Sequence, residues 1–153
     1  MQQELWSEIL PGLWQGGTHH TDTRHSAQRS MRTPTKADFD TVITHYGDAN
    51  GAGWGVKEIR FPFFDGDMTD FDPETDLRLP VEEAFKDWQS GKRVLIRCQA
   101  GWNRSGLVTA LTLIKVGYQP KDAIKLIREK RCQEALCNPI FEDWLLSADC
   151  LRR

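Results

Sequence analysis

Cys98 and Arg104 stand with five residues between them in "IRCQAGWNRSG", the stretch from Ile96 to Gly106. A thiolate is a strong nucleophile, and a guanidinium presents a planar fork of N–H donors that matches phosphate oxygens. The apolar run Val94-Leu95-Ile96 precedes the pair and another begins at Leu107, which predicts a strand, a tight loop and a helix. A loop that opens a helix aims backbone N–H groups and the positive helix end at its own centre, and so makes an anion site. Gly101 lets the backbone approach closely. In that field Cys98 is favoured as thiolate, and a thiolate beside bound phosphate can attack phosphorus to form a covalent intermediate. Ser105 is placed to donate a hydrogen bond to the sulfur as it leaves.

These residues need a scaffold. "EILPGLWQGG" reads as a strand, a Pro-Gly turn, a second strand and a Gly-Gly break. "FDTVITHY" predicts a buried strand, "DANGAGWG" a turn and "VKEIRFPFF" another strand, followed by the acidic "DGDMTDFDPETD" as a loop. From Pro80, taken as a first helical position, Val81, Ala84, Phe85 and Trp88 recur at helical spacing up to Gly91. "KRVLIRC" is a short strand. Leu107, Ala110, Leu111 and Ile114 stripe a helix that ends at Gly117. A further amphipathic helix covers 121–131. Asn138-Pro139 caps a last helix with Phe141, Trp144, Leu145 and Ala148 inward. Strands first and helices alternating later predict an α/β domain, a small central sheet flanked by helices, over residues 1–153.

The chain has 153 residues, 39% hydrophobic and 27% charged, with a formal net charge of -2. That balance gives no bulk electrostatic argument for nucleic acid or a membrane. No apolar stretch approaches a membrane span, and the N-terminus lacks the basic start and apolar segment of a secretory signal, so a cytoplasmic location is expected. Cys98, Cys132, Cys137 and Cys150 show no paired metal spacing and read as free thiols, with Cys132 and Cys137 as packing residues. His19, His20 and His25 have no carboxylate or thiol at supporting spacing and predict a surface loop. No metal or cofactor is expected.

"CQAGWNRSG" resembles the signature loop of the cysteine-dependent protein tyrosine phosphatases, Cys-x5-Arg-Ser/Thr, in the form found in the dual-specificity branch. "EILPGLWQGG" is similar to that family's opening hairpin. "FPFFDG" is similar to its general-acid segment as found in the phosphatases of regenerating liver, and "AIKLIREKR" and "NPIFEDWL" resemble its closing helices. The low-molecular-weight phosphatases fit less well, because their loop lies near the N-terminus. The resemblance implies Cys98 as nucleophile and Arg104 as the phosphoryl clamp, with Ser105 assisting hydrolysis of the phosphocysteine. It implies backbone donors from Gln99, Ala100, Gly101, Trp102 and Asn103, and Asp65 as the acid that protonates the leaving oxygen. Asp65 follows "FPFF" directly and precedes Gly66, which ranks it ahead of Asp67. The implied substrate is a phosphorylated protein.

Arg97 departs from the family, which usually has His before the cysteine. Arg97 either favours the thiolate by its charge or points away from the site, as alternate strand residues do. Reduced activity is the expectation. Trp102 either lines the rim or stacks on the protein itself. Two rival readings stand beside the protein phosphatase. "GWNRSG" also resembles the loop of cysteine-dependent RNA 5'-triphosphatases, and the basic segment with Arg24, Arg29, Arg32 and Lys36 would meet a polyphosphate or RNA. The other reading is a phosphate-binding module without turnover.

Overall fold

The computed structural model describes residues 4–26 and 31–147. Two short strands, β1 (Trp6–Leu10) and β2 (Leu13–Gly16), form an antiparallel hairpin through Pro11-Gly12. β3 (Thr41–Thr44), β4 (Lys57–Arg60) and β5 (Val94–Arg97) complete a five-stranded sheet in the order β1-β2-β5-β3-β4. β5 lies at the centre, parallel to β2 and β3. It therefore runs buried on both faces and reads as the apolar run Val94-Leu95-Ile96 closed by a buried Arg97.

Side-chain alternation along β5 assigns the two faces. Val94 and Ile96 join Leu13 and Ile43 against the helices α2 (Arg78–Gln89), α3 (Arg104–Val116), α4 (Pro120–Lys130) and α5 (Pro139–Leu145). Leu95 joins Val42 and Phe39 on the opposite face, where loops carrying Ala52 and Val56 pack beside Trp6 and Trp14. The expected flanking by helices thus narrows to one face, with loops on the other. α3 is more deeply set than its predicted stripe requires, because Ser105 through Leu113 are all buried.

Two boundaries differ from the sequence reading. The acidic stretch is not wholly a loop: Asp72 accepts from the N–H of Glu74, Pro73 takes the first position, and α1 (Pro73–Asp76) follows. α2 opens at Arg78, so Pro80 sits third rather than first. The first turn of a helix has no internal acceptors for its N–H groups, so a proline there forfeits no bond. The hairpin, β3, β4, β5, α3, α4 and the Asn138 cap of α5 lie where expected. In α5, Phe141 and Leu145 are buried and Trp144 is half-buried. Ala148, Cys150 and Arg29 lie outside the described residues.

Candidate active site

β5 delivers Cys98 at its C-terminal end, and α3 starts at Arg104, so residues 98–103 form a loop between the sheet's central strand and a buried helix. The carbonyls of this loop all have acceptor roles toward the scaffold. Cys98 O accepts from the Thr18 hydroxyl at 2.9 Å, and Gln99 O from the Thr18 N–H at 2.9 Å. Ala100 O accepts from Arg131 Nη2 at 3.2 Å. Gly101 O accepts from Gln15 Nε2 at 3.0 Å and Arg131 Nε at 3.2 Å. Trp102 O accepts from Leu136 N–H and Asn103 O from Leu107 N–H, at 3.0 and 2.8 Å. With the carbonyls held outward, none of the N–H groups of Gln99, Ala100, Gly101, Asn103, Arg104 or Ser105 donates to a described backbone carbonyl. A loop so arranged is a cradle of donors for an anion.

Glycine makes this nesting possible. Gly101 has φ +81°, and a Cβ there would come 2.5 Å from Gly16 C. A Cβ at Gly17 would come 2.7 Å from Gln99 O. The Gly16-Gly17 pair, which reads in sequence as a strand break, is the floor on which the loop rests.

Cys98 is only 2% exposed, and its Sγ lies 3.3 Å from Ser105 Oγ. The Arg104 guanidinium lies over the Tyr46 ring, 5.6 Å from its centroid, and Nη1 donates to Phe63 O at 3.4 Å. Arg104 Nε is buried and has no protein partner. His45 lies beneath this group, fully buried, with Nδ1 2.8 Å from Phe61 O and its ring edge-on to Phe63. Burial, opposed by the bond to Phe61 and reinforced by the Arg104 charge, lowers its pKa to about 4 and keeps the ring neutral.

Asp65 meets the loop directly. Its Oδ2 accepts from Asn103 Nδ2 at 3.1 Å and its Oδ1 from Asn138 Nδ2 at 2.9 Å. Asp67 instead accepts from the N–H of Thr69, at 3.2 Å, within its own turn. The structure thus brings Cys98, Asp65, Arg104, Ser105 and the loop backbone together, and turns Asp67 to local capping.

Arg97 points away from Cys98, onto the loop-covered face. It is fully buried and donates to Asp22 Oδ2 at 3.1 Å, Thr44 Oγ1 at 3.1 Å and Asn50 O at 2.6 Å, with Glu58 Oε2 at 3.4 Å. Burial lowers its pKa, and the carboxylates of Glu58 and Asp22 oppose that shift. Of the basic segment, Arg24 donates to Gly47 O, and Lys36 pairs with Asp40 at 3.0 Å. His25 lies 3.5 Å from Asp48, and His19 stacks near His20. Cys137 is exposed and 3.5 Å from Asn103 Nδ2, not a packing residue, whereas Cys132 packs against the core. No group of metal-ligating side chains occurs among the described residues, and no described helix is long and apolar enough to cross a membrane.

Sequence reasoning missed Thr18, Gln15, Arg131, Asn138 and His45. Only Asn138 left a signal, as a cap, and that signal concerned its oxygen alone.

No protein-family model matches the chain. A protein tyrosine phosphatase type IVA 3 of Bos taurus is 34% identical over 77 residues, a match that covers 50% of this chain and 44% of that protein. Its human counterpart is 31% identical over 87 residues, again with 44% of its length covered. The chain thus spans less than half the length of these curated relatives. Among solved structures, human DUSP28 superposes with a TM-score of 0.74 at 21% identity, covering 95% of each chain. A mouse putative dual specificity phosphatase, solved with zinc tungstate, gives 0.71 at 20% identity, covering 93% of this chain and 84% of that one. The human tyrosine phosphatase-like serine/threonine/tyrosine-interacting protein gives 0.72 at 18%, with 96% and 97% covered. The fold is the α/β dual-specificity phosphatase-like fold.

Proposed function

We propose that this chain is a cysteine-dependent protein phosphatase that hydrolyses phosphotyrosine, and also phosphoserine or phosphothreonine, through a phosphocysteine intermediate. One observation carries the reading: every carbonyl from Cys98 to Asn103 is engaged as an acceptor, while the N–H groups of Gln99, Ala100, Gly101, Asn103, Arg104 and Ser105 donate to no described backbone carbonyl, beside a buried thiol. The sequence likeness to phosphatases of type IVA and the fold support the same chemistry.

In the first step Cys98 sulfur attacks phosphorus while the bond from phosphorus to the substrate oxygen breaks. Asp65 gives its proton to that oxygen, and the alcohol leaves. The loop N–H groups and Arg104 hold the three phosphoryl oxygens, over which charge is spread in the transition state, and keep them aligned with the attacking sulfur. In the second step water attacks phosphorus and passes a proton to the Asp65 carboxylate. The bond from sulfur to phosphorus breaks, Ser105 donates a hydrogen bond to the released thiolate, and phosphate departs. The reaction uses no metal or cofactor. The free thiols fit a cytoplasmic setting.

The RNA 5'-triphosphatase reading is weaker, because the Asn103 amide that suggested it is engaged by Asp65 and Asn138, and Arg24 and Lys36 are bonded within the protein. A panel of phosphotyrosine, phosphoserine and phosphothreonine peptides beside triphosphate-ended RNA tests the assignment. Turnover of phosphopeptides by the native chain, with none by Cys98→Ser and vanadate still bound, is expected. Equal turnover by Cys98→Ser would refute the mechanism, and phosphopeptide binding without any turnover would favour the non-catalytic module.

A further inference from the structure

We infer that Asn103 and Asn138 form a two-amide clamp that positions Asp65 over the phosphate loop, with Asn138 acting from the start of α5. The inference rests on the phosphatase reading and names residues through which its proton donor is aimed.

Asp65 sits on an exposed segment, and its two oxygens accept from two different side-chain amides, at 3.1 Å from Asn103 and 2.9 Å from Asn138. The orientation of each amide is fixed by a backbone donor. Asn103 Oδ1 accepts from the N–H of Asn138 at 2.9 Å, which turns Nδ2 toward Asp65. Asn138 Oδ1 accepts from the N–H groups of Ile140 and Phe141, at 2.9 and 3.4 Å, which turns its Nδ2 toward Asp65 and Gly66 O. An amide has one acceptor end and one donor end, so neither side chain can flip without losing a backbone bond. The clamp joins three segments distant in sequence: the phosphate loop, the acid segment and the N-terminus of α5. Arg104, bonded to Phe63 O, fastens the same segment on its other side.

The chemistry explains why such a clamp is worth having. A general acid works only within hydrogen-bond reach of the leaving oxygen, and a carboxyl on an exposed loop has many other rotamers. Amides orient the carboxyl without introducing a charge beside the incoming phosphate. Asn138 would then be a positioning residue whose removal harms protonation of the leaving group and not the anion cradle.

The test uses the full chain and a series of aryl phosphates, from dinitrophenyl to phenyl, whose leaving groups span about six units of acidity. Asn138→Ser keeps a helix cap but removes the amide donors, and Asn138→Gly is a second variant with little cost at a cap. The expected result is a kcat/KM lowered about 10- to 30-fold for phenyl phosphate and less than about threefold for dinitrophenyl phosphate, with vanadate inhibition unchanged. The dependence on leaving-group acidity should steepen toward that of Asp65→Asn, and the double variant Asp65→Asn/Asn138→Ser should be no worse than Asp65→Asn alone. Uniform loss across the series together with weaker vanadate binding would mean a structural role and overturn the clamp, as would no loss for phenyl phosphate. Failure of the native chain to hydrolyse even dinitrophenyl phosphate is a different outcome: it removes the phosphatase reading and the clamp's catalytic role with it.

Discussion

Two buried arginines stand near the phosphate loop, and they do opposite things. Arg131, 7% exposed, spends its guanidinium on neutral acceptors: Ala100 O, Gly101 O, Glu4 O and the Ser7 hydroxyl. Among the described residues it forms no ion pair, so no carboxylate is in direct contact with its charge behind the cradle, and its burial lowers its pKa against the opposing pull of Cys132, Cys98 and Glu4. Arg97, immediately before Cys98, is gripped by Asp22 and Glu58, and its field is largely cancelled where it arises. Proximity in sequence to Cys98 therefore says little about influence on it. The partners of a buried charge decide whether it acts at a distance or merely holds loops together.

Replacement of Arg131 should have the largest effect, because it removes both structure and field. Arg131→Gln strands the carbonyls of Ala100 and Glu4 and takes one donor from Gly101, which should cost about 5 kcal/mol in urea denaturation at roughly 1–3 kcal/mol per stranded group. Vanadate affinity of the folded protein should fall about 100-fold. Arg97→Met should be nearly as destabilising, about 4 kcal/mol, because it leaves Asp22 buried without its cation. Vanadate affinity of the folded fraction should stay within about threefold of native. Loss of anion affinity in Arg97→Met would break the contrast between the two arginines.

His45 sharpens it, as a third buried group kept neutral beside the Arg104 charge. Its folded pKa of about 4 lies below the ordinary 6.5, so the unfolded chain binds the extra proton first. The associated stability is present above pH 6.5 and is lost as pH falls toward 4, by about 3 kcal/mol at most. Urea midpoints measured across that range should show the slope, and His45→Gln should flatten it. The smallest effect is expected from Arg97→Met/Asp22→Leu, which removes both charges of the deeper pair: a change within about 1.5 kcal/mol, against the larger loss of the single variant, would show that Arg97 serves its partner and not the thiol.

The gathering of Cys98, Arg104 and Ser105 is legible in sequence because one loop carries all three within eight residues, 98–105. The apolar lead-in "FPFF" singles out Asp65, which the structure brings into contact with that loop. The outward binding of the loop was not, since Gln15 and Arg131 reach Gly101 from 86 and 30 residues away and give no local pattern. Asn138-Pro139 is a legible cap, whereas the same signal in Asp72-Pro73 is hidden by the acidic residues that surround it. For Arg97 strand alternation supplies the right one of the two readings, sending its side chain to the face opposite Cys98, but its partners Asp22, Asn50 and Glu58 lie 39 to 75 residues away and leave no local pattern.

The complete burial of α3 from Ser105 to Leu113 bears on the timescale of the site's motions. The helix-bonded amide protons from Leu107 to Leu113 are buried, so their exchange with deuterium should report large-scale opening of the chain and be among the slowest in the molecule. Arg104 and Ser105 ride on its first turn, while Asp65 hangs from an exposed segment held by side-chain amides. Under the proposed function, the phosphate-holding residues are thus tied to the slowest-exchanging part of the molecule, and the proton donor to an exposed segment held by side-chain hydrogen bonds.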